Sequence, residues 1–417
     1  MDASQWYLLV SVFGAAWTAA AWFGARQGPL VPLYFMMSWL AGELALFHIG
    51  WQAAATVGFA ALGGLEGSAG ALGLAVSFVS WGALAQIQRR AGLAGQSFGS
   101  ALRSGLGANY QAEIPAERRS LLRTSVVARD WRSPFSFKSD AVKLVRGIAY
   151  GPAGKRNTLD VFMPRNLSAE QQGKAPVLLQ IHGGAWVMGS KDQQARPLMT
   201  HLADRGWVCV AINYRLSPKA RFPDHLIDAK RAMQWIRENI AQYGGDPNYV
   251  AVTGGSAGGH LSSLFALTAN DPQFQPGFED VDTRVRAAVP FYGIYDFADR
   301  ENVRGDSSIV PFLQKYVMPV ALTKDPNLWD QASPVCQVSA NAPPLMAIHG
   351  DFDALAFVED ARLFVTALRS VSAQPVVYAE IPYAQHAFDI FHSERSAQAV
   401  NAVTHFLEWV RARDGHS

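Results

Sequence analysis

The sequence predicts an α/β domain, a mostly parallel sheet with helices on both faces, preceded by an α-helical transmembrane domain. Three observations carry this. From about residue 148 to the C-terminus, short β-branched runs alternate with helix-length amphipathic stretches. One run, Tyr249-Val250-Ala251-Val252, leads into Gly254-Gly255-Ser256-Ala257-Gly258-Gly259-His260, a strand that turns sharply into a helix. Between Gln5 and Gln88 the only charged side chains are Arg26, Glu43 and Glu66.

The charge-poor front comes first. Trp6 to Ala25 is 20 residues without a charge, and about 20 apolar residues cross a bilayer. Pro29 to Gly63 is a second tract, broken only by Glu43, His48 and Gln52, and Ala69 to Ile87 is a third. A signal peptide fits poorly, because no Lys or Arg precedes the first run and two more runs follow. Residues 1–90 therefore read as three spans, or four if the middle tract breaks near Gly50. A carboxylate inside a span costs about 2–3 kcal/mol unless it is paired, so Glu43 and His48 are expected to make an interhelical polar contact. With three spans, Arg26, Arg89 and Arg90 fall on one side, and the positive-inside rule puts the larger domain in the cytoplasm of a bacterial-type cell membrane. Cys209 and Cys336 fit a reducing compartment. A net charge of +2 with 17% charged residues gives no reason to expect nucleic acid. Residues 91–140 form a connector, read either as a juxtamembrane segment near the headgroups or as a plain helical linker.

The α/β domain spans residues 141–417. A hairpin opens it, Ile148-Ala149-Tyr150 against Leu159–Met163 through Gly151 to Asn157. Then follow strand Val177–Ile181, helix Ala195–Arg205, strand Val208–Ile212, helix Leu226–Tyr243, strand Val250–Thr253 and helix Ala257–Thr268. Two stretches, near 270–286 and 300–335, fit no such unit. The second is expected to cap the site, with Phe312, Tyr316 and Trp329 lining its pocket.

The motif around Ser256 has the Gly-x-Ser-x-Gly spacing of a nucleophile elbow. The turn is so tight that positions two before and two after the serine can hardly carry a side chain; glycines 254 and 258 meet that demand. After the run Val177–Ile181 comes His182-Gly183-Gly184-Ala185-Trp186. Its glycine amides, Gly183 and Gly184, with that of Ala257, would form an oxyanion hole. An acid and then a histidine are needed downstream. Asp353, after Leu345–Gly350, and His386, in the loop after Ala379–Tyr383, appear in that order. His386 would take the proton from Ser256, and Asp353 would orient the imidazole. Asp351 and Asp296 compete with Asp353 for the acid. His182, His201, His225, His349 and His260 read as structural, His392 as a surface or lid residue, and no histidine pair has metal-ligand spacing.

From about Ile148 onward the chain resembles the α/β-hydrolase carboxylesterases, near the hormone-sensitive-lipase and feruloyl-esterase-like branches. The matching residues are His182 to Trp186, Asn213-Tyr214-Arg215-Leu216-Ser217-Pro218, Phe222-Pro223 with Asp228, Gly254 to Gly259, Gly350-Asp351-Phe352-Asp353 and His386-Ala387-Phe388. Ala185 stands where lipase-like members often have a third glycine, and Asn213 where many have Asp; these departures bear on the substrate and leave the chemistry alone. The resemblance implies a serine esterase that works through an acyl-Ser256 intermediate and needs neither cofactor nor metal, and the charge-free spans ahead of it would anchor it in the membrane. Its partner would be a small, lipophilic ester beside the bilayer, with Trp186 bordering the substrate. The same triad also suits an acyltransferase or amidase. A membrane-tethered binding protein on an inactive hydrolase fold is a further reading, disfavoured because all three triad residues are present.

Overall fold

Eight strands form one sheet: β1 (Val142–Ala149), β2 (Thr158–Pro164), β3 (Ala175–Ile181), β4 (Val208–Ile212), β5 (Gly245–Gly255), β6 (Ala287–Phe291), β7 (Leu345–Gly350) and β8 (Val376–Ile381). Their order is β1-β2-β4-β3-β5-β6-β7-β8. Pairs β1–β2 and β2–β4 are antiparallel, and every other pair is parallel. The computed structural model describes residues 1–417 apart from 25–29, 121, 124, 168–171, 306–307 and 416–417. Strands β3, β4, β6 and β7 are buried along their whole length. That is why they read as unbroken apolar runs: helices cover both faces of a parallel sheet.

Alternation along each strand divides the core in two. Val177, Leu179 and Ile181 of β3 point into one layer with α8 (Asp224–Asn239), α9 (Ala257–Leu267) and α12 (Val358–Val371). Leu178, with Cys209 and Met346, points into the other, with α7 (Arg196–Ala203) and α13 (Glu394–Arg413). The second layer holds a helix that the sequence reading placed in the connector. α4 (Gly67–Ala91) passes through Gly92 into α5 (Leu93–Leu106), and Phe98, Leu102 and Leu106 of α5 are buried against the sheet. A Cβ on Gly105 would lie 2.7 Å from the Val377 side chain, so α5 seats on β8 only with glycine there. Residues 93–106 are thus helical, as one form of the connector expected, and pack into the α/β core. A single turn, α6 (Ala116–Arg119), follows.

Ahead of α4 stand α1 (Ala3–Phe23), α2 (Val31–Glu43) and α3 (Ala45–Ala61). Two helices, Ala3–Phe23 and Gly67–Leu106, are long and apolar enough to cross a membrane, and a third span exists if the bent pair α2–α3 counts as one. That pair breaks by 92°, at Leu44 rather than near Gly50. Hydroxyls bind the helices together: Tyr7 with Thr56 and Ser77, and Thr18 with Ser80 at 2.7 Å. Small residues allow the approach; a Cβ on Gly73 would meet the Tyr7 ring at 2.9 Å. Of the polar residues in the middle tract, Glu43 makes its contact with another helix and His48 makes a local one. Glu43 pairs with Arg395 of α13 at 2.9 Å and accepts from Ser393 at 2.6 Å, whereas His48 accepts from the Trp51 indole. Of the basic flanks, Arg26 lies outside the described residues, and Arg90 stacks on Trp22 and Tyr383.

The two insertions pack onto the α/β body. The stretch 300–335 includes α10 (Val310–Phe312) and α11 (Pro326–Gln331). The Val317 carbonyl accepts from the Phe222 amide just ahead of α8. Phe312 and Tyr316 are half-buried against the core, but Trp329 is fully buried and its indole donates to Val320. Trp329 is therefore a core residue, contrary to the expectation that it lines a pocket.

Candidate active site

Strand β5 ends at Gly255 and α9 starts at Ala257, leaving Ser256 alone at the turn with φ 60° and ψ −123°. A non-glycine residue there is strained and persists only because its surroundings hold it. The surroundings are explicit. A Cβ on Gly254 would lie 2.4 Å from the Gly258 carbonyl, and one on Gly258 would lie 2.0 Å from the Ile181 carbonyl. The Ser256 amide donates to Phe291 at 3.0 Å, tying the turn to the end of β6.

The loop after β3 lies across this turn: a Cβ on Gly183 would come within 3.0 Å of the Ser256 Cβ. The Gly183 amide, however, donates to Gln194 Oε1 at 2.6 Å. It is therefore not available to an oxyanion, which corrects the expected set. Ala185 and Trp186 both have positive φ, 50° and 62°. Among the described residues the amides of Gly184 and Ala185 have no acceptor. Ala257 heads α9, where a helix leaves its first N–H groups unpaired. Trp186 does not border an open site. It is 1% exposed, donates to His260 Nδ1 at 3.3 Å and lies edge-on to Phe297. His182 is buried too, stacked on Tyr214, and burial pulls its pKa down to about 4.

Asp353 and His386 meet at the ends of β7 and β8. His386 Nδ1 lies 2.7 Å from Asp353 Oδ2. The other carboxylate oxygen accepts from the amides of Leu355 and Ala356 at 2.9 and 2.7 Å. Burial opposes ionisation of Asp353, yet the two histidines beside it and the hydrogen bonds outweigh burial and hold its pKa well below the usual carboxylate range. The second of those histidines, His349, was read only as structural; its Nε2 lies 3.3 Å from Asp353 and 2.7 Å from the Ala356 carbonyl. Gln385 Oε1 accepts from the amides of both Ala354 and His386 and so links the two loops. The Tyr292 ring packs 4.6 Å from the His386 ring, and its hydroxyl donates to Asp389. The same hydroxyl would sit 2.7 Å from a Cβ on Gly255, so Tyr292 bridges the histidine and the serine turn. Among the described residues no hydrogen bond joins Ser256 Oγ to His386. Bonds of this kind often close only when a substrate is bound.

The competing acids point elsewhere. Asp351 accepts from the Tyr383 amide at 2.5 Å, and Asp296 accepts from the amides of Ala298 and Arg300 and pairs with Arg300. His260 is buried, bonded to the Ala332 carbonyl at 2.7 Å; His225 is bonded to Ser217 at 3.0 Å. Among the described residues no three His, Cys, Asp or Glu side chains are grouped to hold a metal. Helix α2 was not foreseen at this place. The Phe35 ring stands 6.2 Å from that of His386, edge-on at 72°, and the Trp39 indole donates to the Ala387 carbonyl at 2.9 Å. Only the apolar run around Phe35 hinted at α2, and it read as plain span.

The family model BD-FAE matches residues 159–368. The chain belongs to the BD-FAE family. Two relatives from Mycobacterium tuberculosis match well. The one named "Probable carboxylic ester hydrolase LipM" is 54% identical over 265 residues, covering 64% of this chain and 61% of that protein. The esterase LipQ is 46% identical over 266 residues, covering 64% and 62%. The match thus spans a little under two thirds of each relative's length. Esterase B from Lactobacillus rhamnosis shares the fold at a TM-score of 0.55 and 21% identity, covering 76% of this chain and 97% of its own. That likeness, with the sheet order, makes this BD-FAE member an α/β-hydrolase fold.

Proposed function

We propose that this protein is a membrane-anchored serine esterase that hydrolyses carboxylic esters through an acyl-Ser256 intermediate. The observation that carries the reading is the bond from His386 Nδ1 to Asp353, in a chain whose strained Ser256 stands at the elbow between β5 and α9. With Nδ1 held by the carboxylate, the imidazole presents Nε2 as the base, and an ionised Asp353 stabilises the imidazolium that forms. Ser256 Oγ attacks the ester carbonyl and passes its proton to His386, which returns it to the departing alkoxide. A water, deprotonated by the same histidine, then releases the acid. The amides of Gly184, Ala185 and Ala257 take the developing oxyanion, and Gln194, by occupying the Gly183 amide, holds the loop that carries two of them. Names of relatives such as LipM and LipQ support the ester class.

The charge-poor helices α1 and α4 act in this reading as bilayer anchors. Arg89 and Arg90 at the end of α4 favour a cytoplasmic α/β domain. A fluorophosphonate probe tests the chemistry: it is expected to label the full chain, and labelling is expected to disappear in Ser256→Ala together with hydrolysis of p-nitrophenyl butyrate. Persistent labelling of that variant would refute the assignment. Protease accessibility of the α/β domain in sealed inverted vesicles tests the orientation, protection being the adverse result.

A further inference from the structure

The structure brings one membrane-side element to the histidine, and that element has two unlike faces. Helix α2 has 13 residues; at 1.5 Å per residue it reaches about 20 Å, short of a hydrocarbon core of about 30 Å. It turns 92° into α3, so it does not run straight through a bilayer. On one face Phe35 stands edge-on to His386, Ser38 accepts from Gln385 at 3.4 Å, and Trp39 donates to Ala387 and stacks on Phe391 at 4.8 Å. On the other face Leu33 is 58% exposed and Met36 42%. The helix is fixed at its C-terminal end by the buried Glu43–Arg395 pair, and Arg395 also donates to the Gly42 carbonyl at 3.1 Å. A buried ion pair gives little net stability; what this one does is hold α2 against the first turn of α13.

Resting on the serine-esterase reading, we infer that α2 is a wall of the active site, that Phe35 is a specificity-determining residue, and that the substrate is a bilayer-dissolved ester with a long apolar chain. His386 is held by Asp353 on one side and packed by Tyr292 on another. Phe35 is the apolar group facing it from the membrane half. An ester whose carbonyl lies at Ser256 and whose leaving oxygen meets His386 runs one arm past Phe35. From there the outer face of α2, with Leu33 and Met36, leads that arm into lipid without passing through water. Broken helices are tolerated at membrane depth where they line a protein cavity or path, which gives the bend at Leu44 a purpose.

The test uses the full chain in phosphatidylcholine vesicles, with kcat/KM measured for p-nitrophenyl laurate and p-nitrophenyl butyrate. The wild type is expected to prefer laurate. In Phe35→Ala the laurate-to-butyrate ratio is expected to fall about tenfold or more, as the loss of apolar contact in a specificity pocket does, and Phe35→Leu is expected to restore most of it. A ratio unchanged in Phe35→Ala, an equal loss on both esters, or a wild type indifferent to chain length each overturns the inference. If Phe35→Ala does not fold, Met36→Asn is read instead; it is expected to lower the same ratio about threefold, and an unchanged ratio again overturns it. Fluorophosphonate labelling separates the two failures. Labelling at Ser256 with an unaltered ratio sinks only the role of α2, whereas absence of labelling in the wild type sinks the esterase reading itself.

Discussion

The α/β body and the four helices ahead of it solve opposite problems with the same residue types. In the body, Leu, Val and Ile are inside, with both faces of the sheet covered, and the exposed residues are largely polar. In α1 to α4 large apolar side chains face outward, Phe13 at 58% exposed, Val57 at 70% and Val79 at 74%, while hydroxyls pair inside between Tyr7, Thr56, Ser77, Thr18 and Ser80. Apolar burial holds the first half together in water. In a bilayer, which α1 and α4 are long and apolar enough to cross, that driving force between helices would vanish, and close packing with polar contacts would take its place. The two halves nevertheless meet: Glu43, Trp39, Arg90 and Gln88 all bind the segment 383–395 that carries His386. The front helices are therefore packed directly onto the segment that carries His386.

The largest expected effect lies wholly in the α/β half. Ser256→Ala should lower kcat by about 10⁶-fold while the circular dichroism and the melting temperature of the detergent-solubilised chain stay as they are; residual activity near wild type would contradict the assignment. Asp353→Asn should cost about 10⁴-fold in kcat through the wrong imidazole tautomer, read on the same ester. Because the Asp353 carboxyl is held below its ordinary range, its stabilisation is present above the unfolded carboxylate pKa and is lost only as pH falls beneath it.

The joint between the halves comes next. Glu43→Ala leaves Arg395 buried without its partner and should destabilise the chain by about 3–5 kcal/mol, whereas Glu43→Leu with Arg395→Leu should recover most of the loss. Thermal melting in micelles reads both, and equal melting points for wild type and Glu43→Ala would show the halves to be independent.

Acid should then separate the halves. Burial pulls His182 and His260 down to about 4, and His201 and His225 to about 3. Unfolded, each would gain a proton near its ordinary value of 6.5, so the folded state binds fewer protons between those limits. Stability is full above about 6.5 and falls as pH drops toward 4, by up to about 1.4 kcal/mol per pH unit for each histidine. All four lie in the α/β half. A melting temperature flat from pH 7 to pH 5 would contradict their burial. The smallest effect is in the helices: Thr18→Val removes one interhelical bond and should cost about 0.6 kcal/mol in micelles.

Much of the α/β half was legible because its information is local. Val208–Ile212 and Leu345–Gly350 have the bounds their apolar runs predict, and the elbow glycines sit where backbone atoms exclude a Cβ. Local rules misled where a side chain had a choice of partner. The Gly183 amide looked free until Gln194, eleven residues on, took it, and Trp186 looked like a pocket residue until His260 received its indole N–H. The connector reads as a juxtamembrane segment or a helical linker because the sheet face that α5 covers is supplied by strands far along the chain.

By itself the sequence determined the period of each element, the order of serine, acid and histidine, and the charge-free length of the front helices, since each depends on neighbours along the chain. Only the tertiary structure decided that Glu43 answers Arg395 across 352 positions and that Phe35 faces His386. Such pairings are selected by which surfaces come to share one space, and a buried charge takes the partner that the packing of whole elements brings within reach.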